Sequence, residues 1–352
     1  MVERNPAKKS RVNLPGFIRQ LGQPPVATVA INMRPVSGPW GGSSPFVWQL
    51  RAFLKARGYA VRFDLRQPVD AVLLIDPRDD LQSKAFGMAE IAAAKRAQPR
   101  LRVIHRVNEC DQRKQTSFMD AILAKASAVA DHTVFISAWL RDYFTARWFD
   151  PARPHTVIYN GAAARDFHPI GMLPPAPGQP LRVVTHHWSD NPLKGFDVYE
   201  IVDRLLAAGE LPGFELWVIG RWPKTLAWQA AKTFPPASGA KLGALLRQCH
   251  LYLTATRWEP CGMHHVEGAQ CGLPLIFHRD GGGVVEAGER YGLGFTDDVK
   301  TALLTARERY AELRRQVLAR MPSGDRMCLE YAEVIQAVIA EARGTAPTLS
   351  PS

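Results

Sequence analysis

Two glutamates flank a glycine turn in the second half of this 352-residue chain. Glu259 and Glu267 are separated by seven residues, and Gly262 lies between them. We predict a helix over residues 263–270, which Gly272 can end. Such a helix start can bind phosphate, because unpaired N–H groups and the positive end of the helix dipole converge there.

The two carboxylates add a second capability to this helix start. A carboxylate is a poor phosphate ligand, but it accepts hydrogen bonds from both hydroxyls of a vicinal diol. The segment therefore suits a ligand with a central phosphate and sugar hydroxyls at both ends, such as a nucleotide-sugar. From the spacing alone, a surface helix whose acids only favour its N-terminus is an equal alternative.

Short apolar runs must position this site. Ten of them alternate with helical patterns along the chain, and most are too uniformly apolar to be half-exposed strands. We therefore predict parallel sheets buried between helices. The predicted strands are Val26–Asn32, Ala60–Asp64, Ala71–Ile75, Leu101–His105, Thr133–Ile136, Thr156–Tyr159, Leu181–Thr185, Glu215–Ile219, Leu251–Thr254 and Leu273–Phe277.

A helix follows the first predicted strand. Ser44 is expected to cap it, with Pro45 at its first position and Gly58 at its end. Its apolar residues recur at helical spacing on one face, as expected for a helix that covers a sheet. They are Phe46, Val47, Leu50, Phe53 and Leu54.

The chain divides near its centre, where residues 169–180 hold five prolines and two glycines. We expect a linker over residues 171–180, between Rossmann-like domains at 25–170 and 181–326. Ligands of such folds bind at the carboxyl ends of the strands, so the site should lie in the cleft between the domains. The remaining segments are a flexible basic N-terminus (1–24), a helix (327–343) that packs back on the N-terminal domain, and a tail (344–352).

Several motifs in a fixed order resemble the retaining GT-B glycosyltransferases of the glycogen-synthase-like superfamily, commonly called family four. The glutamate pair and the A-Q-C-G-L-P after it resemble the donor-site motif of that family. The resemblance covers most of the chain and implies the α/β GT-B fold, with two doubly wound Rossmann-like domains facing across a cleft. The other resembling segments are Trp40–Gly42, Ala130–Leu140, Val157–Gly161, Lys194–Asp197, Val218–Gly220 and Gly281–Glu286.

The resemblance implies three catalytic residues. Lys194 would face the donor diphosphate, and Glu259 would contact hydroxyls of the transferred sugar. His105, in V-I-H-R-V-N-E, would lie near the reacting sugar. Three polar residues follow it closely, namely Asn108, Glu109 and Asp111.

The same resemblance implies a set of donor-binding residues. Glu267 would hold the ribose diol of the nucleotide, and the amides of Gly41 and Gly42 would close over the diphosphate from the other domain. The other donor-binding residues would be His187, Arg221, Gly262, Met263 and His264, together with Lys194 and Glu259.

One departure from the family concerns an arginine that usually follows the first strand of the C-terminal domain. This sequence has His186, His187 and Trp188 in that region. A histidine with a pKa of about 6.5 is only partly charged at neutral pH. Phosphate stabilisation is therefore expected to be weaker, or to be shared with Arg221.

Other chemistries fit less well. The pairs His186–His187 and His264–His265 cannot present two rings to one ion on a strand or a helix, so we expect no metal. The resemblance likewise implies metal-independent transfer with no cofactor besides the sugar donor. The five cysteines form no C-x-x-C pair, and G-x-S-x-G is absent, which disfavours a cysteine or serine nucleophile. Hydrolysis by paired carboxylates is the stronger rival, but a carboxylate inside a phosphate-binding helix favours binding over attack.

The net charge of +11 is unevenly distributed. Residues 1–176 hold 25 Lys and Arg against 14 Asp and Glu, whereas residues 177–352 hold 19 of each. The excess therefore favours an anionic acceptor, or an anionic inner-membrane surface bound by Arg4, Lys8, Lys9, Arg11 and Arg19. General solubility is the alternative. No nucleic-acid-binding motif is visible, so we expect no nucleic-acid partner.

We expect a cytoplasmic protein, peripheral at the inner face of the membrane. No apolar run approaches the roughly 18 residues of a membrane span, and the N-terminus lacks the apolar core of a secretory signal. The expected reaction moves a hexosyl group from a nucleoside-diphosphate sugar to a hydroxyl of a glycan, glycolipid or other acceptor, as in polysaccharide biosynthesis. Two alternatives share the fold, a nucleotide-sugar 2-epimerase and a non-catalytic nucleotide-sugar-binding protein.

Overall fold

The computed structural model describes residues 24–38, 41–79 and 83–345. The basic residues Arg4, Lys8, Lys9, Arg11 and Arg19 lie outside these ranges, as do Trp40 and residues 346–352. Within the described ranges the chain forms two parallel sheets of six strands each, with helices between most successive strands. The predicted α/β class with two doubly wound sheets is confirmed.

The first sheet has the strand order β2-β1-β3-β4-β5-β6. Its central strands are almost entirely buried, which explains why apolar residues predominate in them. All six predicted strands of the first half are present. Their bounds are β1 Thr28–Ile31, β2 Ala60–Arg62, β3 Ala71–Leu74, β4 Arg102–Val107, β5 His132–Phe135 and β6 His155–Val157.

The second sheet has the order β12-β11-β10-β7-β8-β9. The four predicted strands occupy its centre, and its two edge strands, β9 and β12, were not predicted. Residues 232–234 are mostly exposed and residues 292–295 contain two glycines, so neither has an apolar strand pattern. The bounds are β7 Leu181–His187, β8 Phe214–Gly220, β9 Lys232–Phe234, β10 Leu251–Thr254, β11 Leu275–His278 and β12 Gly292–Phe295.

Twelve α-helices cover the sheets within the described ranges, and none of them is long and apolar enough to cross a membrane. A short 3-10 turn over Pro192–Lys194 precedes the sixth helix. The helices are α1 Ser43–Ala56, α2 Met88–Ala97, α3 Asp111–Lys114, α4 Met119–Val129, α5 Ala138–Thr145, α6 Phe196–Ala207, α7 Gly239–Leu246, α8 Met263–Gln270, α9 Gly283–Tyr291, α10 Val299–Glu308, α11 Tyr310–Arg320 and α12 Gly324–Arg343.

Helix α1 corrects one detail of the prediction. The N-cap position is Gly42, so Ser44 lies inside the first turn and does not cap the helix. The Ser44 hydroxyl instead accepts a hydrogen bond from the backbone N–H of Val36 at 3.1 Å. The predicted apolar face is present, and Phe46, Val47, Leu50 and Leu54 are all buried.

Helix α12 packs on the first sheet although it follows the second sheet in the chain. Its buried residues share one core cluster with residues of β1, β3 and α1. The ring of Tyr331 meets that of Phe46 edge to face, with centroids 4.9 Å apart. The segment before α12 crosses back against Gly161. A Cβ on Gly161 would lie 2.2 Å from the carbonyl oxygen of Ser323.

The proline-rich segment packs on the second half at Met172. Met172 is buried in a core cluster, and its carbonyl accepts a hydrogen bond from Arg314 at 3.1 Å. Ile170 and Leu173 on either side are largely exposed. The domain bounds themselves stay a prediction.

Replacement of Ile335 by alanine tests how α12 packs. Ile335 is fully buried in the cluster shared with α1, so Ile335→Ala should lower the free energy of unfolding by about 2–5 kcal/mol. Leu329 on the same helix is 42% exposed, and Leu329→Ala should cost less than about 1 kcal/mol. Urea unfolding measures both, and equal losses would show that α12 does not pack as described.

Candidate active site

Two adjoining cavities lie between the sheets. The first has a volume of about 500 Å³ and is lined by Lys194 and Glu259. The second has a volume of about 690 Å³ and is lined by Glu267. Gly41, Gly42, Trp188 and Met263 line both cavities, so the two form one continuous cleft.

A buried ion cluster spans the first cavity. The Glu259 carboxylate oxygen Oε2 accepts hydrogen bonds from Lys194 Nζ at 3.0 Å and from Arg113 Nε at 2.9 Å. The side chains of Arg113, Glu259 and Lys194 are only 7%, 13% and 15% exposed. Arg113 comes from α3 in the first half of the chain, whereas the other two residues come from the second half. The carboxylate therefore bridges the cleft.

The protonation states of this cluster follow from its charges. Burial alone would raise the pKa of Glu259, but Lys194 and Arg113 outweigh burial and hold the pKa well below its usual value. Burial lowers the pKa of Lys194, and the Glu259 carboxylate opposes that shift. With all three groups charged, two cations surround one carboxylate. One buried positive charge is left over, and it favours an anionic ligand in the cavity.

Helix α8 starts beside this cluster, with the bounds predicted from the sequence. Gly262 is its N-cap residue, and a Cβ there would lie 2.4 Å from the ring of His264. Gly42 from the first half packs against the same helix start, since its Cβ would lie 2.6 Å from Met263 Cγ. The glycine loop and the helix N-terminus are therefore in direct contact across the cleft.

Glu267 is held in place by His186. The carboxylate Oε2 and the ring nitrogen Nε2 are 2.9 Å apart, and the Tyr252 hydroxyl lies 3.0 Å from the other ring nitrogen, Nδ1. This network assigns the ring proton to Nε2, where it is donated to the carboxylate. His186, where the family resemblance leads us to expect an arginine, therefore orients a carboxylate.

His187 cannot replace that arginine as a cation. Its Nε2 lies 2.9 Å from Thr185 Oγ1 and 3.0 Å from the Tyr199 hydroxyl, and the ring is 2% exposed. Burial and the nearby Lys194 hold its pKa well below 6.5, so the ring is neutral. His187 lines the cleft without contributing charge.

The other residues of the second half that were predicted to bind the donor also line the cleft. Arg221 donates a hydrogen bond to the Trp188 carbonyl at 2.9 Å and lines the first cavity. His264 lies 3.0 Å from Thr254 Oγ1 through its Nε2 atom, and burial lowers its pKa well below the usual value. Its ring is therefore neutral as well.

The position of His105 corrects the expectation that it lies beside the reacting sugar. The ring is fully buried, and neither ring nitrogen has a hydrogen-bond partner among the described residues. Burial lowers its pKa to about 3. Neighbouring residues of a strand point to opposite faces, and Arg106 occupies the cleft side. Asn108 and Glu109, just beyond the strand, also line the cleft.

Arg113 and Arg106 are among the cleft residues that were not predicted. Arg106 donates to the Tyr331 hydroxyl at 3.1 Å and to Asn160 Oδ1 at 2.9 Å. Asn160 in turn donates to the Cys261 carbonyl at 2.7 Å. Only Asn160 had a signal in the sequence, because it lies in the V-I-Y-N-G segment.

Glu286 joins the two halves at another point. Its carboxylate accepts hydrogen bonds from the backbone N–H groups of Ala138 and Trp139, at the start of α5. It also accepts one from the Tyr159 hydroxyl. A carboxylate at a helix N-terminus is stabilised by the helix dipole. The Glu286 contact therefore stabilises the packing of α9 against α5.

Among the described residues no group of three or more His, Cys, Asp or Glu side chains could hold a metal ion. The five cysteines are buried as free thiols. Burial raises the pKa of Cys261, the thiol that lines the cleft, to about 12, so it is not a thiolate at neutral pH.

Comparison with known proteins identifies the fold. No protein-family model and no curated protein matches the sequence. Among solved structures, sucrose-phosphate synthase from Thermosynechococcus elongatus is similar at 15% identity and a TM-score of 0.64, over 90% of this chain and 100% of that one. Anabaena HepE, solved with UDP-glucose, is 15% identical over 88% and 99% of the two chains, with a TM-score of 0.65.

A plant enzyme shows the same architecture. The catalytic domain of starch synthase IV from Arabidopsis thaliana, bound to ADP and acarbose, is 12% identical over 90% of this chain and 100% of that one, with a TM-score of 0.61. At such identities the likeness concerns the fold. The chain therefore has the GT-B fold of these structures.

The buried ion cluster predicts which of two substitutions destabilises the protein more. Glu259→Gln would leave two buried cations side by side, so it should lower the free energy of unfolding by about 3–5 kcal/mol. Arg113→Gln leaves the neutral pair of Glu259 and Lys194 and should cost less. Urea unfolding measures the free energy of unfolding of both variants. A larger decrease in Arg113→Gln than in Glu259→Gln would contradict the charge assignment.

Proposed function

We propose that this protein is a retaining, metal-independent hexosyltransferase, which moves a sugar from a nucleoside diphosphate to an acceptor hydroxyl. The uncompensated positive charge of Arg113, Glu259 and Lys194 supports this proposal most strongly. It shares one cavity with the N-terminus of α8, so two sources of positive potential act on the same space. A diphosphate is the anion that suits such a site.

The adjoining cavity suits the nucleoside. Glu267 lines it, and a carboxylate held by His186 can accept hydrogen bonds from both hydroxyls of a ribose. Gly41, Gly42 and Met263 line both cavities, so the diphosphate would lie at their junction. The transferred sugar would then extend toward Glu259 in the first cavity.

The proposed reaction needs no protein nucleophile. The bond between the anomeric carbon and the diphosphate oxygen breaks, and the acceptor oxygen bonds to the same face of the sugar. The acceptor proton passes to the departing diphosphate. Lys194, Arg113 and the α8 amides stabilise the charge that develops on the diphosphate. Because Arg113 belongs to the first half, full stabilisation requires a closed cleft.

We propose an anionic acceptor on the side of the first half, either a glycan or a lipid-linked molecule in polysaccharide biosynthesis. Arg78, Arg106 and Lys114 line this part of the cleft, and two acids, Asp76 and Glu109, lie among them. The basic N-terminal residues would hold the enzyme at the inner face of the membrane, each contributing about 1 kcal/mol near anionic lipid. Sedimentation with anionic and neutral liposomes tests that part, and equal binding would contradict it.

A thermal-shift screen against UDP-, GDP-, ADP- and TDP-sugars tests the function. A donor at 100 times its Kd should stabilise the protein by about 2.7 kcal/mol. NMR of the product formed from that donor then reports the anomeric configuration. Stabilisation by none of the donors would contradict the proposal. Conversion of the donor without an acceptor would indicate an epimerase. Binding of the donor without turnover would indicate a non-catalytic binding protein.

Lys194→Ala should lower kcat by about 10²–10³, because one preorganised donor to the leaving diphosphate is lost. Lys224 is exposed and does not line the cleft, so Lys224→Ala is the matched control. Steady-state rates with the donor found above measure both variants. A decrease in kcat of less than about fivefold in Lys194→Ala would show that Lys194 does not stabilise the leaving diphosphate.

Glu267→Ala should weaken nucleoside-diphosphate binding about tenfold to a hundredfold, because a charged acceptor for the ribose hydroxyls is lost. Isothermal titration calorimetry measures the affinity, with Glu289→Ala on the exposed face of α9 as the control. Unchanged affinity in Glu267→Ala would place the ribose elsewhere.

A further inference from the structure

A third cavity, of about 250 Å³, lies where the chain crosses back from the second sheet to the first. Its walls come from the segment after β6, from α8 and α9, and from the connection between α11 and α12. Asn160 and Cys261 line both this cavity and the cleft, so they separate the two spaces. Nothing in the proposed transfer reaction uses this cavity.

The lining of this cavity, which we name the junction cavity, is strongly basic. Arg290, Arg320 and Arg326 line it together with one acid, Glu330. Glu330 is bonded to Arg326 Nε at 2.8 Å, so two guanidinium charges have no carboxylate partner within the lining. A guanidinium has five N–H donors in a geometry that matches phosphate oxygens.

Existing contacts orient the other two arginines. Arg320 donates one hydrogen bond to the Arg290 carbonyl at 3.1 Å. The Arg290 guanidinium carbon lies 5.0 Å from the centre of the Tyr159 ring. Both contacts leave N–H groups of these arginines available for an anion.

An imidazole forms part of the inner wall of the junction cavity. His265 is 1% exposed, and neither of its ring nitrogens has a hydrogen-bond partner among the described residues. Burial lowers its pKa to about 4, so at neutral pH the ring offers one donor and one acceptor. Buried polar groups rarely stay unpaired, because each unmade hydrogen bond is costly. This ring therefore suits a neutral hydroxyl ligand.

We propose that the junction cavity binds a small phosphate monoester of a polyol. The phosphate would bind Arg290 and Arg320, and a hydroxyl of the same molecule would pair with His265. At about 30 Å³ per water molecule the cavity holds roughly eight waters, which suits a phosphate on a short carbon chain and excludes a nucleotide-sugar. This binding does not depend on the proposed transferase activity.

Calorimetric titration of the full chain with glycerol 3-phosphate tests the proposal, with glycerol as the uncharged control. We expect the phosphate ester to bind and glycerol to give no signal. Arg290→Gln and Arg320→Gln should each raise the Kd about tenfold, because a charged hydrogen bond is lost. Arg315 is exposed on α11 outside the cavity, so Arg315→Gln controls for the change in net charge.

Two further titrations separate this cavity from the cleft and locate the hydroxyl. Lys194→Ala should bind glycerol 3-phosphate with unchanged affinity, because Lys194 lines only the cleft. In His265→Gln, glycerol 3-phosphate should bind no more tightly than inorganic phosphate does. Arg290 and Arg320 are exposed, so Arg290→Gln and Arg320→Gln still test the proposal if His265→Gln fails to fold.

Three results would overturn the proposal. One is the absence of binding of glycerol 3-phosphate to the unmodified protein. Another is an equal loss of affinity in Arg315→Gln, which would indicate general attraction to a basic surface. The third is binding that Lys194→Ala abolishes and Arg290→Gln preserves, which would place the ligand in the cleft.

Discussion

The Glu259 carboxylate, held between Lys194 and Arg113, is the interaction on which the site depends. Burying three charges is costly, and the arrangement persists because each cation lies within hydrogen-bond distance of the same oxygen. One cation comes from each half of the chain, so the surplus positive charge arises only when Arg113 of the first half meets the pair of Glu259 and Lys194. The positive charge that remains creates the potential for an anionic ligand.

Helix α8 is fixed to the first half at both ends, which keeps its N-terminus beside that charge. At the start, Asn160 bonds the Cys261 carbonyl, and Gly42 contacts Met263. At the end, the Gln270 side chain accepts from the Ala162 N–H at 3.0 Å and donates to the Ala162 carbonyl at 2.8 Å. The helix that would hold the donor is thus part of the contact between the halves.

The histidines of this site act through hydrogen bonds, and burial lowers the pKa of His187 and His264 so that these two rings are neutral. His186 orients Glu267, and His187 is bonded within the second half. The arginine that the family resemblance leads us to expect at that strand end is replaced by histidines, and Arg113 supplies a cation from the opposite wall. The proposed binding of a diphosphate therefore becomes coupled to closure of the cleft.

Local patterns in the sequence determined ten of the twelve described strands and the bounds of α8, since buried parallel strands are apolar runs and glycines mark helix ends. The same patterns missed β9 and β12, whose short segments lack apolar periodicity. The family resemblance placed His105 near the reacting sugar, whereas its side chain is fully buried and does not line the cleft. Arg113 had no signal, because it lies 146 residues from Glu259 and meets it only through packing. The sequence by itself determined which of the ten predicted strands form and which carboxylates flank the start of α8. Only the tertiary structure decided which strand faces reach the cleft and which cations surround Glu259, because these depend on how distant segments pack.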